Sequence, residues 1–266
     1  MYRVARRIQR ALGRTPLTEA SCAFDHVDRA LASRVGGPPP EVSTLGKALL
    51  LEFDDGARVY THNQLYGRWM FSSPDRRPDT GRQLRLALST EAKSALLYSA
   101  SEIDWIPPGQ THPFLERAGL DVLSSGAGID EIADWIGRDE FRRRQLGHLL
   151  LDQRFLAGVG NYLRSEILFE ACLSPKHRPM DLDDQQRRTL AEAAHTMMWR
   201  SVETGGITND PARAEQLKKA GWRRRDYRHY VFSRSGQACL ACDGEIEKAA
   251  VSGRRLYRCP ACQPHP

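Results

Sequence analysis

Leu150 to Leu168 reads LLDQRFLAGVGNYLRSEIL, and the reading of this stretch decides the fold. An apolar helix end (Leu146, Leu149, Leu150) runs into Leu156-Ala157-Gly158-Val159-Gly160-Asn161, and a second helix follows with Leu163, Ile167 and Ala171 spaced by four. The pattern predicts two helices joined by a tight glycine turn. Gly158 and Gly160 lack Cβ, so left-handed dihedrals and a close backbone approach to a ligand are open to both. Asn161 stands where an N-cap belongs, with free N–H groups and the positive end of the helix dipole beyond it. Such a corner favours an anion, and in a basic protein a nucleic-acid phosphate is the expected one. Spacing alone is equally satisfied by a helical hairpin with no ligand, so the rest of the chain has to decide.

The 266 residues suffice for two domains, and 41% hydrophobic content allows each a core. Lys plus Arg total 39 against 33 Asp plus Glu, a formal charge of +6. The excess gathers near the cysteines: Arg213 to Arg258 holds twelve cations and five acids. A polyanionic partner fits this distribution. No run of 18 apolar residues occurs, and MYRVARRIQRALG lacks the apolar centre of a signal peptide. The expectation is a cytoplasmic protein with no membrane partner.

Residues 3 to 13 predict an amphipathic helix with Val4, Ile8, Ala11 and Leu12 on one face, ended by Gly13. Ala48 to Phe53, the turn Asp54-Asp55-Gly56 and Ala57 to Thr61 predict a hairpin. Leu84, Leu86 and Leu88 alternate with Arg85 and Ala87, and Ser94 to Ala100 is expected to pair with them. Short strands this close together suggest an antiparallel sandwich or barrel. Gly119 to Gly128 (GLDVLSSGAG) has the composition of a linker, and a domain boundary is expected there. Helices are then predicted over Ile129–Ile136, Phe141–Asp152, Asn161–Ala171 and about 185–202, the last starting with a capping box from Asp183 and Gln186. Glu203 to Arg225 is charged and weakly periodic, and reads as a mobile loop.

Cys239-Leu-Ala-Cys242 and Cys259-Pro-Ala-Cys262, separated by sixteen residues, have the spacing of a closed tetrahedral four-cysteine zinc site on a β-hairpin. A site with all four positions filled by protein is structural. Between the knuckles, Ser252-Gly253 favours a turn from which Arg254 projects, and on so basic a module phosphate contact is the expected use of that arginine. Cys22 and Cys172 stand alone and read as small hydrophobes.

The strand-rich first half, the LLDQRFLAGVGNYLRSEILF stretch and the terminal SGRRLYRCPAC hairpin together resemble the formamidopyrimidine-DNA glycosylase and endonuclease VIII family of base-excision repair enzymes, from the first helix to the last cysteine. Thr61-His62-Asn63-Gln64-Leu65-Tyr66-Gly67 is similar to the endonuclease VIII branch, whose Gln-Leu-Tyr triplet fills the gap left by an extruded nucleotide. An amide, an aliphatic wedge and an aromatic ring suit such a void; without the resemblance Leu65 and Tyr66 would read as strand-end core. The resemblance implies an α+β multidomain chain. Its parts are an N-terminal antiparallel β-sandwich with a leading helix (1–118), a helix-two-turn-helix domain (129–225) and a four-cysteine zinc-finger hairpin (226–266). The two lobes are expected to grip DNA across a cleft.

The resemblance also implies roles. Lys47, on a β-turn, matches a lysine that contacts phosphate and takes part in proton transfer. Arg117 and Asn161 match phosphate-binding positions, and Arg254 matches the hairpin arginine that grips phosphates flanking the lesion and is linked to the second elimination. One structural zinc, a monomeric state, a nucleoid-associated place and double-stranded DNA with damaged bases or abasic sites as partner come with it. The implied activity is removal of oxidised pyrimidines with strand nicking through a Schiff base. In the family that chemistry begins at an N-terminal Pro-Glu-Gly-Pro-Glu, whose proline amine attacks C1′ while the glutamate moves protons. Here Met1-Tyr2-Arg3-Val4 aligns with the first helix, about half a dozen residues later. A native chain carrying those residues ahead of Met1 would cut; a homologue without them would bind damaged or abasic DNA and leave it intact.

Overall fold

The computed structural model describes residues 1–123 and 126–265, which divide into two compact units, Met1–Arg117 and Ala118 onward. The first unit opens with α1 (Tyr2–Leu12), then β1 (Glu19–Cys22), α2 (Asp25–Ala32), β2 (Glu41–Leu45), β3 (Ala48–Glu52), β4 (Arg58–His62), β5 (Arg68–Ser72), β6 (Leu84–Ser89), β7 (Ser94–Tyr98), β8 (Glu102–Ile106) and α3 (Pro113–Arg117). Two four-stranded antiparallel sheets form, ordered β1-β6-β7-β5 and β2-β3-β4-β8. Leu49, Leu51, Val59 and Ile103 of one sheet meet Trp69, Leu86, Leu88 and Leu97 of the other, with Ile8 and Leu12 of α1 and Val27 and Leu31 of α2 closing the same core. This is the expected sandwich with its leading helix.

The two hairpins read from sequence are present. Leu51 faces Val59 across β3 and β4, and Leu88 faces Ala95 across β6 and β7. The apolar run of β3 does not alternate because both of its faces are covered: Leu49 and Leu51 lie in the sandwich, while Ala48 and Leu50 lie under Phe114 and Leu115.

The second unit contains β9 (Leu120–Asp121), α4 (Ile129–Ile136), α5 (Leu146–Leu149), β10 (Leu156–Ala157), α6 (Asn161–Glu170), α7 (Asp184–Thr204), α8 (Pro211–Lys219), α9 (Arg224–Tyr227), β11 (Glu247–Val251) and β12 (Arg254–Arg258). Ile132, Ile136, Leu149, Phe155, Leu163, Ile167, Leu190 and Met197 share its main core. The capping box forms as read: Gln186 N donates to Asp183 Oδ1 at 2.7 Å and Asp183 N donates to Gln186 Oε1 at 3.0 Å. No helix among the described residues is long and apolar enough to cross a membrane.

Three expectations are corrected. The linker-like stretch from Gly119 is packed structure in its described part: Leu120–Asp121 pairs in parallel with Leu156–Ala157, and Val122 is fully buried; Ser124 and Ser125 lie outside the described residues. Of Phe141–Asp152 only Leu146–Leu149 is α-helix, because Leu146 N and Gly147 N donate to the carbonyls of His177 and Pro175 (2.8 and 2.9 Å) instead of joining an upstream turn. Glu203–Arg225 is largely ordered into α8 and α9: Asp210 caps α8 through Arg213 N at 2.8 Å, Pro211 takes its first turn, and Thr208 and Asn209 are fully buried.

Candidate nucleic-acid interface

In the first unit, β2 and β3 are joined by a two-residue turn, Gly46-Lys47, in which Gly46 takes φ 58°. Lys47 is half-buried there. Burial holds the nearby His62 imidazole below its ordinary range, and the Lys47 charge acts in the same direction while Glu102 opposes it.

Beyond β4 the chain turns sharply at Asn63–Gly67. Gly67 N donates to Asn63 O at 2.7 Å, and a Cβ at position 67 would lie 2.6 Å from the Asn63 backbone, so only glycine closes this turn without a shift. Gln64 adopts φ 46°, uncommon for a residue with a side chain. Its amide is held on both sides: Nε2 donates to Glu102 Oε2 at 3.0 Å, and Oε1 accepts from Ser101 Oγ at 3.0 Å. Arg82 Nη1 donates to Tyr66 O at 2.6 Å. The consequence is an outward display, with Leu65 87% exposed and Tyr66 71% exposed. These are not strand-end core residues, and two adjacent large apolar side chains held so far into solvent are a marker of a binding surface. Arg117, at the end of α3, is exposed, with its Nε donating to Pro113 O at 2.9 Å.

In the second unit, Gly158 takes φ 92°, as its lack of Cβ allows, and its N–H donates to Gln153 Oε1 at 3.1 Å. Gly160 does not use that freedom: it is the N-cap of α6 with φ −118°. Asn161 is therefore the first helical residue and not the cap. Its Oδ1 accepts from Arg164 Nη2 at 2.9 Å, because the buried guanidinium needs acceptors.

Arg164 has no exposed surface. Besides Asn161 it donates to the carbonyls of Gly147 (2.8 Å), Val251 (3.3 Å), Arg255 (3.1 Å) and Arg254 (3.5 Å). Burial, aided by the Arg254 charge, pushes its pKa down to about 10, which leaves it charged at neutral pH. The hairpin tip it holds is Ser252-Gly253, both at positive φ (53° and 67°) as a tight two-residue β-hairpin turn requires. Ser252 Oγ and His148 Nδ1 share a hydrogen bond of 2.6 Å, and Arg254 emerges exposed beside them.

The next two residues of α6 are buried and polar as well. Ser165 Oγ accepts from Tyr257 N at 3.1 Å. Glu166 accepts from the N–H groups of Tyr230, Val231 and Phe232 (2.8, 2.9 and 2.9 Å) and from Thr208 Oγ1 (2.6 Å). Burial raises its pKa while those four bonds oppose the rise. Thr208 in turn bonds His229 Nδ1 at 2.8 Å, and burial first, then the Arg228 and Arg224 charges, press His229 down to about 3, so it is neutral. Ser101, Glu102, Arg164 and Glu166 escape a reading of sequence because each looks like a surface polar residue; the one available signal was the Arg-Ser-Glu run inside an otherwise apolar helix.

The four cysteines converge. Cys242 Sγ lies 3.4 Å from Cys259 Sγ and 3.3 Å from Cys262 Sγ, Cys239 Sγ lies 3.9 Å from Cys262 Sγ, and all four atoms are within 4.8 Å of one another. Tetrahedral thiolates around one ion at about 2.3 Å would stand about 3.8 Å apart, so this donor set fits a metal ion. Ala241 N points at Cys239 Sγ (3.4 Å), and Gln263, fully buried, clasps the knuckle by accepting from Cys259 N (3.0 Å) and donating to Leu173 O (2.9 Å).

A family profile described as the formamidopyrimidine-DNA glycosylase H2TH domain matches residues 119–211, which places the glycine turn and its flanking helices in that domain class. Over the whole chain, similarity is to proteins named Endonuclease 8: those of Enterobacter sp. (strain 638) and Klebsiella pneumoniae (strain 342) are each 40% identical over 263 residues, covering 98% of this chain and 97% of theirs. The chain belongs to the formamidopyrimidine-DNA glycosylase and endonuclease VIII family, as its motifs led us to expect. The same fold is seen in Lactococcus lactis FPG (MutM) in complex with DNA containing FAPY-dG, at a TM-score of 0.79 and 17% identity over 99% of this chain and 98% of that one. A second structure, of the L. lactis glycosylase non-covalently bound to DNA containing an abasic site, gives 0.78 at 18% identity, covering the same shares.

Proposed function

We propose that this chain is a base-excision repair enzyme, a DNA glycosylase with AP lyase activity that removes oxidised pyrimidines from duplex DNA and cuts the strand at the resulting abasic site. The observation that carries the reading is the braced Asn63–Gly67 turn, which holds Leu65 and Tyr66 87% and 71% exposed. A wedge and a ring kept ready in solvent suit the space vacated when a nucleotide leaves the stack, and filling that space offsets part of the unstacking cost of a few kcal/mol. Gln64, Leu65 and Tyr66 take this role on the proposal. Arg117, Asn161, the Gly158 and Gly160 turn, and Arg254 contact phosphates, and Lys47 contacts phosphate and moves a proton beside the sugar. One structural zinc ion on Cys239, Cys242, Cys259 and Cys262 would fix the hairpin that carries Arg254. Such an enzyme works where the chromosome lies, so the cytoplasm and its nucleoid are the proposed location.

The chemistry calls for the secondary amine and carboxylate of the family's Pro-Glu ahead of α1. Attack of that amine on C1′ expels the base, and the imine formed makes the C2′ proton acidic enough for elimination. The test is borohydride trapping on abasic-site DNA with protein isolated from its native source. A covalent adduct on the N-terminal peptide is expected. No adduct from folded, metal-loaded protein whose intact mass includes Pro-Glu would overturn the proposal.

Phosphate contact has its own test. Affinity for abasic duplex should fall with salt at a logarithmic slope of about 0.9 per phosphate neutralised, and Lys47→Gln or Arg254→Gln should each flatten that slope by about one. An unchanged slope removes the residue concerned from the interface.

A further inference from the structure

Gln64 is held in a way that a void-filling residue does not need. A glutamine that only occupies space can carry its amide in either sense, since oxygen and nitrogen are nearly the same size. Here both ends are committed. Glu102 Oε2 can only accept, so the Gln64 Nε2 must face it, at 3.0 Å; the Ser101 hydroxyl then donates to Gln64 Oε1, also at 3.0 Å. Reversing the amide would set two oxygens against each other across the first contact. The carboxylate is itself held, with Tyr60 OH donating to Glu102 Oε1 at 3.4 Å and His62 Nδ1 lying 3.5 Å from Oε2. The backbone is fixed with it, by the left-handed φ of Gln64 and the closure of Gly67 onto Asn63.

A clamped amide keeps one N–H and one carbonyl lone pair for a ligand, in a single order. The base left behind after extrusion also offers donor and acceptor in an order. Adenine and cytosine present an amino donor followed by a ring-nitrogen acceptor on the pairing edge, guanine presents a carbonyl acceptor followed by a ring N–H donor, and thymine, with a carbonyl on each side of its ring N–H, offers either order. A freely turning glutamine matches all four bases; a fixed one matches thymine and only one of the other two classes. We propose that Ser101 and Glu102 are positioning residues that fix the sense of the Gln64 amide, so that this loop separates adenine and cytosine from guanine opposite the lesion and accepts thymine in either case. The inference rests on Gln64 entering the duplex, as proposed above.

The test is equilibrium binding of the full chain to a short duplex carrying a tetrahydrofuran abasic analogue opposite A, C, G or T, at one salt concentration. The dissociation constants opposite A and C should agree and differ about tenfold from that opposite G, with T on the tighter side, the discrimination expected of one well-placed donor–acceptor pair. In the Glu102→Gln, Ser101→Ala double variant, where residue 102 can donate or accept, the four values should converge to within about twofold while abasic duplex is still preferred over intact duplex. A structural role alone would weaken all four together. Wild-type values that do not separate A and C from G, or a grouping that survives in the double variant, would overturn the inference. Absence of any preference for abasic over intact duplex would instead overturn the proposed function, and the inference with it.

Discussion

Stripping the metal from the four-cysteine cluster is expected to melt the Glu247–Arg258 hairpin and abolish tight binding to abasic DNA, while α4, α6 and α7 stay folded. Two strands of five residues do not hold together alone in water. The apolar support beneath this hairpin is Leu256 and Val251, which meet the main core, and a small cluster around Phe169, Tyr230, Val231, Ile246 and Tyr257, into which Cys239 and Cys259 are themselves packed. In isolated finger peptides a structural zinc contributes an apparent 10 to 16 kcal/mol or so at neutral pH, more than such a cluster can supply. Without the ion, up to four thiolates would crowd within 4.8 Å, or protonated thiols would fill the space without holding it. Amide hydrogen exchange across Glu247–Arg258, followed in chelator-treated protein shown by elemental analysis to be metal-free, reads this directly. Native protection in that state would show the hairpin to be held by protein contacts alone.

Replacing Arg164 by Met should cost about 2 to 4 kcal/mol of stability, since it leaves several acceptors unsatisfied at roughly 1 to 3 kcal/mol each. The loss comes from what is left behind. Gly147 would keep a buried carbonyl, and Val251 and Arg255 part-buried ones, without this donor, and Asn161 Oδ1 would lose its partner as well. Relief of burying the guanidinium offsets part of this and sets the lower end of the range. Lys in its place retains the charge but has no planar fork to reach Asn161 and the hairpin carbonyls together, so it should recover less than half of the loss. Urea unfolding of the three proteins decides it, and a loss below about 1 kcal/mol for Arg164→Met would show that the network is not a support. DNA binding should suffer beyond the stability loss, because Asn161 and the Arg254 turn are both oriented by this one side chain.

Much of the frame was legible in the residues. The hairpin of β3 and β4 announced itself by an apolar run on each side of Asp-Asp-Gly, α7 by its Asp183 and Gln186 cap, and the thiol cluster by spacing. β1, β5 and β8 were not legible, since their mixed burial breaks the alternation that marks a strand. The Gln-Leu-Tyr triplet could be assigned only by resemblance. Its exposure depends on a turn closed by Gly67 and on Ser101 and Glu102, 37 and 38 residues away in sequence, and no local pattern encodes such partners. The error over Glu203–Arg225 has a different source. Its order comes from buried polar anchors, Thr208 to Glu166 and Asn209 to Tyr227 O, which a hydrophobic periodicity does not register.

The consecutive buried residues Arg164, Ser165 and Glu166 address mostly main-chain groups: carbonyls at 147, 251, 254 and 255, and N–H groups at 257 and 230 to 232. Main-chain groups stay the same whatever side chains they carry. Over descent, the outward residues of the hairpin tip other than Arg254, and those of the segment after α9, can therefore change without disturbing the helix beneath. Drift should accordingly be slow at positions 164 to 166 and faster at the outward positions they hold in place, Arg254 excepted.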